Sequence, residues 1–255
     1  MSQETPTPPQ DDAVSEPNAD VAAASNPEEA AVGEGDGLAH AIGPGSSPTG
    51  GEVKLTFFNE SNDANNSNVV IFARNVGTSF EELAVAWQVI RNCGQGWSHP
   101  LKYPAAVTVG VVDAYGNYSP QLPAKTGQAF SVARAPSGDV LASSGPSGSP
   151  LEISIENGLP VGAITAVVFR DGKPYALRNA IAPQQKAVFA FKPTIFIGVV
   201  SEVEEGQVLD SAVISAVNTE FSLLGLASAD IVMTGGGPGP QSTPFAFTLK
   251  NVVMA

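Results

Sequence analysis

From Glu52 onward the chain alternates apolar and polar residues with a period of two. Val53, Leu55 and Phe57 are interleaved with Lys54 and Thr56, and Leu151, Ile153 and Ile155 with Glu152, Ser154 and Glu156. Thr219, Phe221 and Leu223 enclose Glu220 and Ser222; Phe245, Phe247 and Leu249 enclose Ala246 and Thr248; Val107, Val109 and Val111 enclose Thr108 and Gly110. Successive strand side chains point to opposite faces, so each run predicts a strand with one face in a core. Val69–Phe72 and Ile164–Phe169 are apolar on both faces. Such strands are covered twice, by a second layer within the fold or by a neighbouring subunit.

Turn residues separate these runs. Asn157-Gly158 lies between Leu151–Glu156 and Val161–Phe169, and Asp171-Gly172 between Phe169-Arg170 and Lys173. Both pairs tolerate the positive φ of a tight hairpin; Asp171-Gly172 is the cleaner signal, and Pro160, just after the other pair, leaves a longer loop as the alternative there. Helix is scarce: Thr78–Ala84 predicts a single turn, with Thr78 or Ser79 as cap, running into a strand over Val85–Ile90. The predicted class is all-β, an antiparallel β-sandwich domain over residues 51–255. Phe72-Ala73-Arg74, Tyr103-Pro104 and Gly110-Val111-Val112 are echoed by Phe169-Arg170, Lys192-Pro193 and Gly198-Val199-Val200. A duplicated half-sandwich produces such an echo, and so does chance in a chain rich in Val, Gly and Ala.

Charge divides the chain in two. The whole carries 25 acids against 12 bases, a net −13, yet no Lys, Arg or aromatic residue occurs in residues 1–50. That segment, rich in Ala, Pro, Glu and Gly, has too little apolar area to offset its ordering entropy and is expected to be a disordered acidic tail. The remainder is close to neutral, with 16 acids and 12 bases. No basic stripe is present for phosphates, so nucleic acid is not an expected partner. The longest apolar stretch, residues 187–200, is interrupted by Lys192 and Pro193, and no membrane span is predicted. The opening Met-Ser-Gln-Glu-Thr-Pro is unlike a signal peptide, which points to the cytoplasm, with leaderless export as the alternative.

Asn65–Phe72, followed by Glu82–Gly94 and Tyr115–Pro120, resembles a group of bacterial all-β proteins. The resemblance covers about a third of the chain and implies the fold class alone, with no activity, cofactor or site residue attached.

Candidate chemistry is sparse. Cys93, the single cysteine, excludes an internal disulfide framework and a cysteine-rich metal site. Cys93 and His99 are six apart across a Gly-rich turn, the residue types of a thiol enzyme; a buried cysteine and a turn-closing histidine are the plainer account. Two histidines, one of them His40 in the tail, cannot assemble a multi-His metal site, and no metal or other cofactor is expected. Gly145-Pro146-Ser147-Gly148-Ser149 misses the last glycine of a nucleophile elbow, and Gly235–Pro240 lacks the Lys-Ser/Thr of a phosphate loop. The turns at Asp63 and Asp113 each offer one carboxylate, too few for a firm calcium site. Trp97, Tyr103, Tyr115 and Tyr118, with Asn117 beside them, sit in or near polar loops, where rings stack on sugars and amides bond hydroxyls. The leading expectation is a non-enzymatic protein that associates with itself or another protein. A carbohydrate-binding module is the alternative, and an enzyme using Cys93 and His99 comes third.

Overall fold

The computed structural model describes residues 51–77, 84–217 and 219–255. The expected acidic tail lies outside them, as do residues 78–83 of the expected helical turn. Eight strands fill the first half: β1 (Val53–Asn59), β2 (Asn68–Phe72), β3 (Gln88–Ile90), β4 (Ser98–Tyr103), β5 (Val107–Val112), β6 (Leu122–Ala124), β7 (Gln128–Ala135) and β8 (Gly138–Pro146). Eight more fill the second: β9 (Ile153–Asn157), β10 (Ile164–Arg170), β11 (Lys173–Ile181), β12 (Lys186–Phe189), β13 (Thr194–Val200), β14 (Thr219–Ser222), β15 (Leu226–Gly236) and β16 (Thr243–Met254).

These strands form four sheets and two sandwiches rather than one. The first sandwich packs β4-β1-β15-β16 against β3-β2-β13-β14, with Leu55, Phe57, Ile71, Ile195 and Ile231 buried between. The second packs β12-β9-β7-β8 against β11-β10-β5-β6, around Val109, Phe130, Ile155, Ile164 and Val168. In strand order the two are the same fold. Each has one all-antiparallel sheet, and one whose central pair is parallel: β1 with β15, β9 with β7. Matching position for position, β1–β4 corresponds to β9–β12 and β5–β8 to β13–β16.

The register makes this correspondence exact to the residue. Gly198 pairs with Val70 two residues before Phe72, and Gly110 pairs with Val167 two residues before Phe169. The Phe72/Phe169 and Gly110/Gly198 parts of the sequence echo are therefore structural, whereas Tyr103-Pro104 corresponds to Phe191-Lys192, one residue before the echoed Lys192-Pro193. The two halves nevertheless do not form one sandwich each. The outer quarters, β1–β4 and β13–β16, build the first, and the inner quarters, β5–β8 and β9–β12, build the second.

Local chemistry accounts for the turns. Asp171 and Gly172 both have positive φ (54° and 73°), giving the tight β10–β11 hairpin expected of them. Asn157-Gly158 is not a hairpin turn, because β9 and β10 belong to different sheets. Asn157 is instead a buried anchor, and a Cβ at Gly158 would lie 2.8 Å from the Val132 carbonyl oxygen, so the glycine serves close approach.

The twice-covered character of β2 is met within the chain. Val70 and Phe72 on its outer side, with Phe196 of β13 beside them, are roofed by Leu209, Val213, Ile214 and Val217, around a short helix α1 (Ser211–Ala216). Asp210 caps it, its carboxylate accepting from Val213 N–H at 2.8 Å. In the second sandwich the corresponding face carries Val167, which is buried, and Phe169, which is half-buried and packs over Gly110.

Candidate functional site

The Cys93 loop is wound around one buried amide. Asn59 ends β1; its Nδ2 donates to the Cys93 carbonyl at 2.6 Å, and its Oδ1 accepts from Ser61 N–H (2.9 Å) and Oγ (2.6 Å). Gly96 N–H donates to the Asn59 carbonyl, and Asn59 N–H to that of Trp97. Asn92 and Gly96 take positive φ to allow this. The second sandwich repeats the arrangement around Asn157. Its Nδ2 donates to the Ile181 carbonyl (2.8 Å), its backbone bonds Gln184 and Gln185, and Ala180 and Gln184 take the positive φ. Cys93 therefore stands where Ile181 stands, Trp97 where Gln185 does, and His99 where Ala187 does.

This repetition bears on the thiol. The loop is shaped by the amide anchor, whether or not it carries a cysteine. Cys93 is half-buried against the first core, and burial raises its pKa above the ordinary thiol value, the opposite of activation. His99 lies exposed on β4 opposite Phe57, and among the described residues no hydrogen bond joins it to Cys93.

The aromatic residues expected in polar loops separate into three places. Trp97 is 67% exposed at the Asn59 corner, in the same loop as Gln95, whose side chain donates to that of Asn62 at 3.1 Å. Tyr115 and Tyr118, 90% and 77% exposed, lie on the β5–β6 connection of the other sandwich. There Asp113 accepts from Tyr115 N–H, Asn117 N–H and Asn117 Nδ2, each at 2.8 Å. The Asn117 side chain leads in holding the Asp113 carboxyl below the usual aspartate range. Asn117 and Tyr118 border a cleft of about 200 Å³, together with Ser119, Val132 and Asp139.

Tyr103 belongs to neither loop. It is buried where the two sandwiches meet, its ring edge-on to Trp87 and its hydroxyl hydrogen-bonded to that of Tyr175 at 3.0 Å. The buried Arg170 guanidinium lies over both tyrosine rings, 4.2 and 4.5 Å from their centroids, and donates to the Pro104 carbonyl. Trp87 Nε1 donates to the Arg170 carbonyl at 3.0 Å. This plug joins the sandwiches and leaves the Tyr103 ring no free face for a sugar.

Sequence reasoning missed a shallow cleft of about 480 Å³ between Asn68, Arg91, Glu202, Glu204 and Gln207. Its walls come from segments far apart in the chain, and only the β2–β13 pairing brings them together. It also missed the outer edges. β8 and β16, nine and twelve residues long, are paired on one side only. Each has a single charged residue, and each is matched within the chain: Asp139 with Arg134, and Lys250 with Glu60 at 3.3 Å.

Among the described residues no cluster of three or more His, Cys, Asp or Glu side chains is arranged for a metal, and no helix is long and apolar enough to cross a membrane. No family model, curated protein or solved structure matches this chain.

Proposed function

We propose that this is a non-enzymatic β-sandwich protein that acts by association, with itself or with another protein. The observation carrying this reading is the pair of long edges β8 and β16. An exposed edge offers a row of free N–H and C=O groups, and proteins that stay monomeric blunt such edges with unpaired charge, proline or a covering loop. Here each edge has one ion-paired charge, a proline confined to one end (Pro146 closing β8, Pro244 opening β16) and bulged pairing to its neighbour, while the stretches between carry exposed Val140, Val252 and Val253. The near-neutral balance of residues 51–255 adds little repulsion, while the nine acids of residues 1–50, with no base among them, add negative charge that opposes association.

Light scattering on the full chain and on a form lacking residues 1–50 tests this. Deletion is expected to raise the mass, increasingly with salt, which screens charge over about 10 Å at 0.1 M. Lysines at Val140 and Thr248 are expected to lower it again. A monomeric mass for the shortened form at every salt concentration would reject the reading and favour carbohydrate binding. The exposed ring of Trp97, in the loop whose Gln95 amide bonds that of Asn62, supports that second reading; quenching and glycan-dependent emission of Trp97 would test it.

A further inference from the structure

We propose that two copies of this chain exchange halves: β1–β8 of one copy closes on β9–β16 of the other, with the Ser147–Glu152 connection as hinge. This deepens the self-association reading and rests on it for the identity of the partner, a second copy.

The swap is already built into the single chain. Neither half closes a sandwich by itself, because β1–β4 and β5–β8 face different cores. Both parallel pairs join the halves: β1 with β15 over six residue pairs, β7 with β9 over four. So do the antiparallel pairs β2–β13 and β5–β10. The plug does the same, with Trp87 and Tyr103 from one half against Arg170 and Tyr175 from the other. The monomer thus has the architecture of a swapped, two-fold dimer of half-chains whose two members are covalently joined.

Only that join distinguishes self-closure from exchange. Its six residues run from the end of β8 to the start of β9, strands that flank β7 on either side. The crossing is therefore about two strand spacings, roughly 10 Å. It is tied down by a few bonds: Ser147 N–H to the Gly127 carbonyl, Ser147 Oγ to the Glu152 carbonyl at 3.0 Å, and Gly127 N–H to the same carbonyl. An exchanged dimer keeps every strand pair and both cores and reopens only this loop. Self-closure holds the advantage of a short tether, an effective concentration on the order of mM. Exchange is therefore expected after unfolding and refolding at high protein concentration. It is also expected when the connection is too short to pass β7. Deleting Gly148–Leu151 leaves two residues between the strands, a reach of about 10 Å with no slack.

The test uses the full chain with a protease site inserted between Gly148 and Ser149. Isotopically heavy and light chains are mixed, unfolded and refolded at high concentration, and the dimer is isolated. Cleavage of an exchanged dimer is expected to halve its native mass and to release bodies holding one heavy and one light fragment. The Gly148–Leu151 deletion is expected to convert the protein largely to dimer. A dimer that keeps its full mass after complete cleavage overturns exchange and leaves edge pairing standing. Same-label fragments throughout also overturn exchange, whether or not the deletion variant folds. A monomer under every condition, in both variants, removes exchange and self-association together.

Discussion

Trp87 and Tyr175 occupy equivalent positions in the two sandwiches and meet each other edge to face, ring centroids 5.6 Å apart. Gln88, after Trp87, pairs with Ile71; Ala176, after Tyr175, pairs with Val168, and Ile71 and Val168 themselves correspond. Their neighbours correspond as well. Trp87 contacts Tyr103 at 5.7 Å, as Tyr175 contacts Phe191 at 4.9 Å. The junction therefore resembles the self-complementary contact of a two-fold dimer, in which the same patch serves both sides. Its departure from symmetry is Arg170, which stands where the first sandwich has buried Ala73.

Replacing Tyr175 separates the ring from its hydroxyl. Tyr175→Phe is expected to lose about 1 kcal/mol with the Tyr103 hydrogen bond. Tyr175→Ala is expected to lose about 3–5 kcal/mol, because it opens a cavity beside Arg170. Burial raises the Tyr175 phenol well above 10.0. The unfolded chain then ionises first, so the contribution is fully present below pH 10.0 and is lost as pH rises from there through the folded value. Calorimetry against pH checks both statements. An alkaline loss of stability unchanged in Tyr175→Phe would show that another group is responsible.

The two anchoring asparagines are expected to matter for stability rather than activity. Asn157→Ala strands the Gly162 and Ile181 carbonyls and the Leu159 N–H, which its side chain now bonds. About 3 kcal/mol follows from unsatisfied buried groups, a fall of roughly 6–12 °C in Tm for a domain this size. Asn59→Ala is expected to cost less, since its bond to Cys93 is only partly buried. Equal melting of wild type and Asn157→Ala would mean that water replaces the amide.

Much of this was legible in the chain, for identifiable reasons. Val53–Phe57 and Phe245–Leu249 announce themselves because each strand has one wet face. Asp171-Gly172 is readable because both residues need positive φ. Asn157-Gly158 has the same letters and a different task, a buried amide and a close backbone approach, which local sequence cannot distinguish. The pairing of β1 with β15 is invisible to periodicity, which reports that a face is buried and not against what. Helix α1, six residues long, is too short to give a 3.6-residue pattern. Tyr103 looks like a loop residue because Pro104 follows it, while its partner Tyr175 lies 72 residues away.

Cys93 is expected to react slowly. Burial raises its thiol pKa above the ordinary value, so the thiolate fraction falls and alkylation should run below the rate of a free cysteine model compound. His99→Ala should leave that rate unchanged. Rapid modification abolished by the same substitution would restore the thiol-enzyme reading.

The Tyr115 loop is expected to loosen in acid. The folded Asp113 carboxyl lies below 3.8. Its bonds to the loop therefore act above that pH and are lost as pH falls through the folded value. Amide exchange of Tyr115 and Asn117 against pH would report it. Asp113→Asn should remove the dependence, and a loop equally protected in acid would contradict the role given to this carboxylate.

The division into outer and inner quarters also sets an order of events during synthesis. The inner quarters are consecutive, so the second sandwich has all its strands once β12 leaves the ribosome. β1–β4 must wait for β13–β16; Leu55 meets Ala229 only after the whole inner sandwich has been made. At about 5–20 residues per second that delay is on the order of 10 s. For that interval the first quarter stands with its core face uncovered, beside a finished neighbour and, on a crowded message, beside the newly made ends of other chains.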